Sequence, residues 1–155
     1  MTQVFILNQQ GASPTKKGGQ YRVQVLRCGA WDYPRPGEKG FEIKPGDLKE
    51  LKQNFELGIK GSKVPLNVDH KDGRDCGWVT GLELGPDHES LWALIDVTKP
   101  QVKADIDDGT LQFSSSELDL AYGSPELSAK GDMKPRKVFE GLALTNHPYI
   151  KGMAP

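Results

Sequence analysis

Turn-forming residues are spread along the whole chain and limit the length of every helix and strand. The sequence has 18 Gly and 11 Pro among its 155 residues. They lie between apolar runs without a repeat period, a pattern that excludes collagen and low-complexity disorder. Coiled coils, long-helix bundles and transmembrane proteins do not use so many residues of these two types. The sequence therefore predicts one globular domain that is rich in short strands and turns.

Charge and hydropathy narrow the class of protein. The chain has 20 basic and 21 acidic residues, and this balance disfavours nucleic acid as the main ligand, since phosphate binding needs a basic surplus. No apolar run approaches the roughly 20 residues that span a bilayer, and the run VFIL at 4–7 is too short for a signal peptide. Without a secretion signal, Cys28 and Cys76 are expected to be free thiols of a cytosolic protein.

The periodicity of apolar residues predicts strands alternating with two helices. Asp47 can cap a helix that ends near Leu57, and a second short helix is expected over 99–108. Residues 9–19 and 29–40 are expected to be loops. The predicted strands are 3–7, 20–27, 64–69, 77–84, 91–97, 111–120 and 138–145. This order predicts an α+β domain built on a mainly antiparallel, barrel-like sheet.

His70 is the histidine whose position most suggests chemistry, because it directly follows a buried strand and opens a polar loop. His88 and His147 are expected to lie in turns. The residues alone fit a hydrogen-bonded strand-end histidine equally well. The acidic residues and the cysteine around His70 match no common zinc-ligand spacing, so no metal or other cofactor is expected; these neighbours are Asp69, Asp72, Asp75 and Cys76.

Three consecutive serines, Ser114, Ser115 and Ser116, interrupt a predicted strand. Serine is disfavoured in strands, so the run indicates either an edge or bulged strand or a nucleophile on a rigid element. A nucleophilic serine needs an imidazole within hydrogen-bond reach to remove its proton. The chain has no G-x-S-x-G elbow, P-loop, dinucleotide fingerprint or HExxH motif. A lipase-like hydrolase is therefore disfavoured.

The order of several segments resembles a known family. These segments are VPLNVDHKDGRDCGWVTGLEL, LWALIDV, DGTLQFSSSELDL and FEGLALTNHPYIKGMAP, which lie within 64–155. Together they are similar to the Mu-like prophage I proteins, head-maturation proteases of tailed phages that are made with a downstream scaffolding segment. The resemblance extends to the wider clan of phage prohead proteases and herpesvirus assemblins. It implies a closed, mainly antiparallel β-barrel with a few surrounding helices.

The resemblance also implies a catalytic pair. His70 takes the role of the base, and the family motif of Ser, any residue, Glu and an apolar residue makes Ser115 the nucleophile. The clan's third member is a His or Glu on the last strand, but that position is Gly141 here, and glycine cannot orient an imidazole. A Ser–His dyad assisted by water is one alternative. Lys151 or main-chain N–H groups would bind the oxyanion. The candidates for the third member are Glu117, Asp69, Glu140 and Asn146.

The function implied is a serine endopeptidase of phage capsid maturation. It would cleave the scaffold, itself and, as a further option, the major head protein inside the procapsid, in the cytoplasm of the infected bacterium. Residues 1–155 would form a single protease domain, with the scaffolding segment absent or removed after Pro155. Peptide would dock as an added strand. No nucleic acid or membrane partner is expected, and a homo-oligomer is left open. The alternative is a noncatalytic β-barrel module that binds capsid or scaffold protein during head assembly.

Overall fold

The fold is built on one large mixed sheet. A computed structural model describes residues 3–7, 13–14, 20–31, 41–71, 73–123, 131 and 136–146. Its main sheet has the strand order β1-β9-β10-β6-β7-β8-β3-β2, and a separate two-stranded sheet pairs β4 with β5. The strands are β1 (Gln3–Leu7), β2 (Ser13–Pro14), β3 (Gln20–Arg27), β4 (Gly29–Trp31), β5 (Phe41–Ile43), β6 (Val64–Val68), β7 (Asp75–Leu84), β8 (Ser90–Val97), β9 (Phe113–Tyr122) and β10 (Arg136–Thr145).

The predicted α+β class is confirmed, but the predicted closed barrel is wrong. Strands β9 to β3 form a curled half-barrel, with β1 and β2 at its two edges. The pairing is mainly antiparallel, and β10 runs parallel to β6. Among the described residues no main-chain ladder joins the two ends of this sheet, and β3 contacts β9 through side chains. Ser114 Oγ and Ser116 Oγ donate to the carbonyls of Gln24 and Val25, at 3.3 and 2.7 Å. These hydroxyls join a face of β9 to the main chain of β3, while the edges of β9 are paired with β1 and β10.

The core lies inside the curl and under the longer helix. Alternating side chains of β8 are buried, as a half-buried strand requires. Helix α1 (Pro45–Glu56) places Leu48 and Leu51, both fully buried, against the sheet, and it contacts β10 and β7. Asn54 Nδ2 donates to the Lys137 carbonyl at 2.8 Å. Helix α2 (Pro100–Asp107) packs on β8.

The start of α1 differs from the prediction. The helix begins at Pro45, because proline at the first position fixes a helical φ and loses no hydrogen bond there. Asp47 is consequently inside the first turn, where its Oδ2 accepts from the Lys44 N–H at 2.9 Å. The loop predicted over 29–40 also begins with strand β4, which pairs with β5. No helix in the described part of the chain is long and apolar enough to cross a membrane.

Candidate active site

His70 lies in a strained turn at the end of β6. Asp69 and His70 both have left-handed backbones, with φ of 58° and 57°, and the Lys71 N–H donates to the Val68 carbonyl at 3.2 Å. Two successive left-handed residues are the signature of a type I′ turn, and each costs about 1–3 kcal/mol in a residue other than glycine. Contacts to β10 hold the turn: the Asp69 N–H donates to Leu144, and Thr145 Oγ1 donates to Asp69 Oδ1 at 2.6 Å.

The imidazole of His70 contacts a carboxylate from another strand. His70 Nδ1 lies 2.8 Å from Glu117 Oε1 on β9. Asn67 Nδ2 donates to the same oxygen at 2.9 Å, and Asn67 Oδ1 accepts from the His70 main-chain N–H at 3.0 Å. The three residues therefore form a continuous hydrogen-bonded group across β6, β10 and β9.

The chemistry of Glu117 decides which nitrogen of His70 carries the proton. Burial raises the pKa of Glu117, but hydrogen bonds from His70 and Asn67 and the nearby charges of His70 and Lys60 outweigh it and leave the pKa below its ordinary value. Glu117 is thus an ionised carboxylate near neutral pH, and a carboxylate only accepts hydrogen bonds. Nδ1 must be the donor, so the lone pair of the neutral ring is on Nε2. This is the tautomer that a general base requires.

Strand parity separates the three serines. Ser114 and Ser116 point toward β3 and donate to its carbonyls. Ser115 lies between them, so its side chain is on the opposite face of β9, the face of Glu117. The pairing of β1 with β9 is continuous over these residues, which keeps the alternation intact. Ser115 is fully buried, and its Oγ makes no hydrogen bond with any group that the structure describes. Of the three serines, Ser115 is therefore the one whose hydroxyl is not engaged in a hydrogen bond to β3.

Ser115 and Glu117 lie two residues apart on one face of β9. The Cα atoms of residues two apart on a strand are separated by about 6.7 Å. An imidazole with a hydrogen bond of about 3 Å on each side spans a gap of that order. The Ser115–His70 hydrogen bond itself is not formed here. Catalytic hydrogen bonds are often long without substrate and tighten when it binds.

Gly141 lies directly opposite Glu117 on β10. A Cβ added at Gly141 would collide with Glu117 Oε2 and lie 3.1 Å from its Cδ. The Glu117 carboxylate thus occupies the space into which a side chain at 141 would project. Ala143, the next residue on that face, pairs with Ser115 on one side and Asn67 on the other. Because Gly141 and Ala143 are small, Asn67 on β6 can reach Glu117 on β9 across β10.

The other candidates for the third member contact different groups. Asp69 accepts from Thr145. Glu140 is the extra residue of a β-bulge and interacts electrostatically with Lys60. Asn146 Oδ1 accepts from the Gln112 N–H at 3.0 Å, and its Nδ2 donates to the Thr110 carbonyl. Lys151, the predicted oxyanion contact, lies outside the described residues, as do His147 and Asp72.

A cavity of about 490 Å³ is lined in part by Lys60, whose charge helps to lower the pKa of Glu117. Its walls come from the end of α1, from β7 and from β10, and include Phe55, Val79 and Phe139. Burial lowers the pKa of Lys60, and the charges of Glu140 and Glu117 offset part of that effect. The described residues contain no cluster of three or more His, Cys, Asp or Glu side chains that could hold a metal ion.

Comparison of the chain with known proteins finds no match. No family model matches the chain, and no similar curated protein or solved structure is found. The interpretation of the site therefore depends on its own geometry.

Sequence reasoning missed Asn67. It appears in the sequence as one polar residue in the apolar run VPLNV, and it is only 8% exposed in the fold. A buried amide needs hydrogen-bond partners, so a polar residue in a buried strand three positions before His70 was the available signal. The parallel pairing of β6 with β10, which brings Asn67 over Ala143, could not be read from the sequence.

Proposed function

We propose that this chain is a serine endopeptidase that uses Ser115 as nucleophile, His70 as general base and Glu117 as the residue that orients the imidazole. The observation that carries the proposal is the 2.8 Å contact between His70 Nδ1 and Glu117 on the face of β9 that bears Ser115. It fixes the tautomer that a base needs and stabilises the imidazolium that forms.

The chemistry follows from these roles. His70 Nε2 takes the proton of Ser115 as Oγ attacks the scissile carbonyl, and a tetrahedral intermediate forms. His70 then gives that proton to the leaving amine, the C–N bond breaks and an acyl-enzyme remains. A water molecule, deprotonated by His70, attacks the ester to give a second tetrahedral intermediate. The bond between Ser115 Oγ and the acyl carbon then breaks, His70 returns the proton to Oγ and the acid leaves. Glu117 stays ionised throughout.

The biological context of the proposal rests on the resemblance to the Mu-like prophage I proteins. It makes the substrates the scaffold and the major head protein of a procapsid, together with the protease itself. An extended peptide would add to an edge of the sheet and place alternate side chains in pockets. The edge strand β1 lies next to the nucleophile strand, with Leu7 in register with Ser115.

A noncatalytic module that binds capsid or scaffold protein is the second candidate. One observation favours it: Ser115 is fully buried and not hydrogen bonded to His70. In that case Glu117, His70 and Asn67 would serve only to hold the end of β6 against β9.

Labelling by a fluorophosphonate separates the two candidates, because the reagent modifies only activated serines and requires no known substrate. Intact-mass spectrometry should show one adduct on the protein, mapped to Ser115 after digestion. Ser115→Ala and His70→Ala should abolish it, whereas Ser114→Ala should keep it. In parallel, a proteome-derived peptide library should be cleaved by the wild type and not by Ser115→Ala. A folded wild type that acquires no adduct and cleaves no peptide would support the binding module.

A further inference from the structure

We infer that Asn67 is a positioning residue of this site, whose side-chain amide holds the Glu117 carboxylate and the His70 main chain in a fixed relation. The inference rests on the proposed function and adds to it a residue outside the Ser–His–Glu set. Asn67 acts through its two partners and does not touch the reacting atoms.

The orientation of the Asn67 amide follows from its partners. The Glu117 carboxylate can only accept a hydrogen bond and the His70 main-chain N–H can only donate one. Nδ2 therefore faces Glu117, at 2.9 Å, and Oδ1 faces His70, at 3.0 Å. Both bonds come from one planar group, so the distance between the His70 main chain and the carboxylate is fixed by a rigid unit.

The same carboxylate oxygen accepts from both Asn67 and the imidazole. The amide therefore sets the position of the oxygen that orients the ring. The other end of the amide ties down the second of the two left-handed residues in the turn. Such residues persist only where their surroundings over-determine them. Without Asn67, both the carboxylate and the turn would gain freedom, and the imidazole would lose its fixed orientation.

Two variants and a matched control test this role. Asn67→Ala removes both hydrogen bonds. Asn67→Asp keeps the acceptor for the His70 N–H but places a second negative charge beside Glu117. Asn54→Ala is the control, because Asn54 is also a buried asparagine whose Nδ2 donates to a main-chain carbonyl, at 2.8 Å, but it joins α1 to β10 away from His70.

We expect Asn67→Ala to slow fluorophosphonate labelling by about 10²-fold, the cost of a small misplacement of catalytic groups, and Asn54→Ala to label at the wild-type rate. Asn67→Asp should also shift the acidic limb of the labelling pH profile to higher pH, because an added negative charge stabilises the imidazolium. Among the residues that the structure describes, the other charged groups around the pair include Lys60, which acts on Glu117, and Glu140, which acts on Lys60. Asp69 is the neighbour of His70 in the chain.

The ¹⁵N shifts of the His70 ring give a readout that needs no activity. The wild type should have the proton on Nδ1, and Asn67→Ala should give a mixture of tautomers. Wild-type labelling and ring shifts in Asn67→Ala, or an equal loss of labelling in Asn54→Ala, would overturn the inference. A wild type without any Ser115 adduct would instead overturn the proposed function, and the ring shifts would still decide whether Asn67 positions His70.

Discussion

Replacing Glu117 with glutamine tests the orienting role most directly. The substitution keeps the size of the side chain and an oxygen for Asn67 Nδ2, but it removes the charge beside His70 Nδ1. The amide can also turn so that its N–H faces Nδ1, and it then loses the hydrogen bond from Asn67 Nδ2, because one oxygen accepts from both groups. The ring can then carry its proton on Nε2, and in that tautomer it cannot take a proton from Ser115.

The size of the effect follows from the bonds lost. A hydrogen bond to a charged group is worth about 1.5–3 kcal/mol, which corresponds to a factor of about 10 to 150 in rate if only the imidazolium is destabilised. Reversal of the tautomer adds to this loss, since the equivalent Asp-to-Asn change in a serine protease triad costs about 10⁴-fold. We therefore expect Glu117→Gln to slow labelling of Ser115 by between about 10² and 10⁴-fold.

The assay is the rate constant for fluorophosphonate labelling, measured by intact mass at neutral pH beside a thermal melt of each variant. Glu140→Gln is the matched control: this glutamate is next to Gly141 and interacts electrostatically with Lys60, whereas Glu117 is the carboxylate that lies 2.8 Å from His70 Nδ1. It should label at the wild-type rate. Labelling of folded Glu117→Gln at the wild-type rate, or a large loss in Glu140→Gln alone, would refute the assignment.

The remaining predictions concern the strands around this site. Gly141→Ala should lower the free energy of unfolding by about 1–3 kcal/mol and slow labelling, because the new Cβ displaces the Glu117 carboxylate from His70; wild-type values for both would contradict it. Gly141 is not left-handed, so the double variant Glu117→Ala with Gly141→Glu should recover part of the labelling that Glu117→Ala loses. Ser116→Ala should cost about 1–2 kcal/mol in chemical denaturation, through its buried bond to the Val25 carbonyl, and still label. Because the pKa of Glu117 is lower in the folded than in the unfolded state, its ionised form contributes stability above the unfolded-state pKa, and this contribution is lost as the pH falls through the folded-state pKa. Urea titrations should therefore show that the difference in unfolding free energy between the wild type and Glu117→Gln becomes smaller in acid.

Much of the fold was predictable because most elements carry their own local signal. The alternation of Tyr21, Val23 and Val25 predicts β3 with the bounds observed. The open form of the sheet could not be predicted, because pairing between its two ends depends on strands that are far apart in sequence. The contacts between β3 and β9 run through the hydroxyls of Ser114 and Ser116.

The site was predictable as a set of candidates but not as an arrangement. Parity on β9 already places Ser115 and Glu117 on one face. Choosing Glu117 over Asp69 required the three-dimensional turn at His70, in which the left-handed backbone directs the Asp69 carboxylate to Thr145 and the imidazole to Glu117. A neighbour in sequence is a poor guide to which side chain a strained turn will contact.

The presence of glycine at position 141 and of glutamate at position 117 can be explained together, because the two residues share one space. Directly opposed residues on an antiparallel pair have Cβ atoms about 4.5–5.5 Å apart. A glutamate at position 117 or at position 141 can therefore reach the same imidazole, that of His70. Both positions cannot carry a large side chain, because the Glu117 carboxylate fills the space over Gly141. Under the proposed function, the orienting carboxylate lies on the strand of the nucleophile, and glycine at position 141 of the neighbouring strand makes room for it.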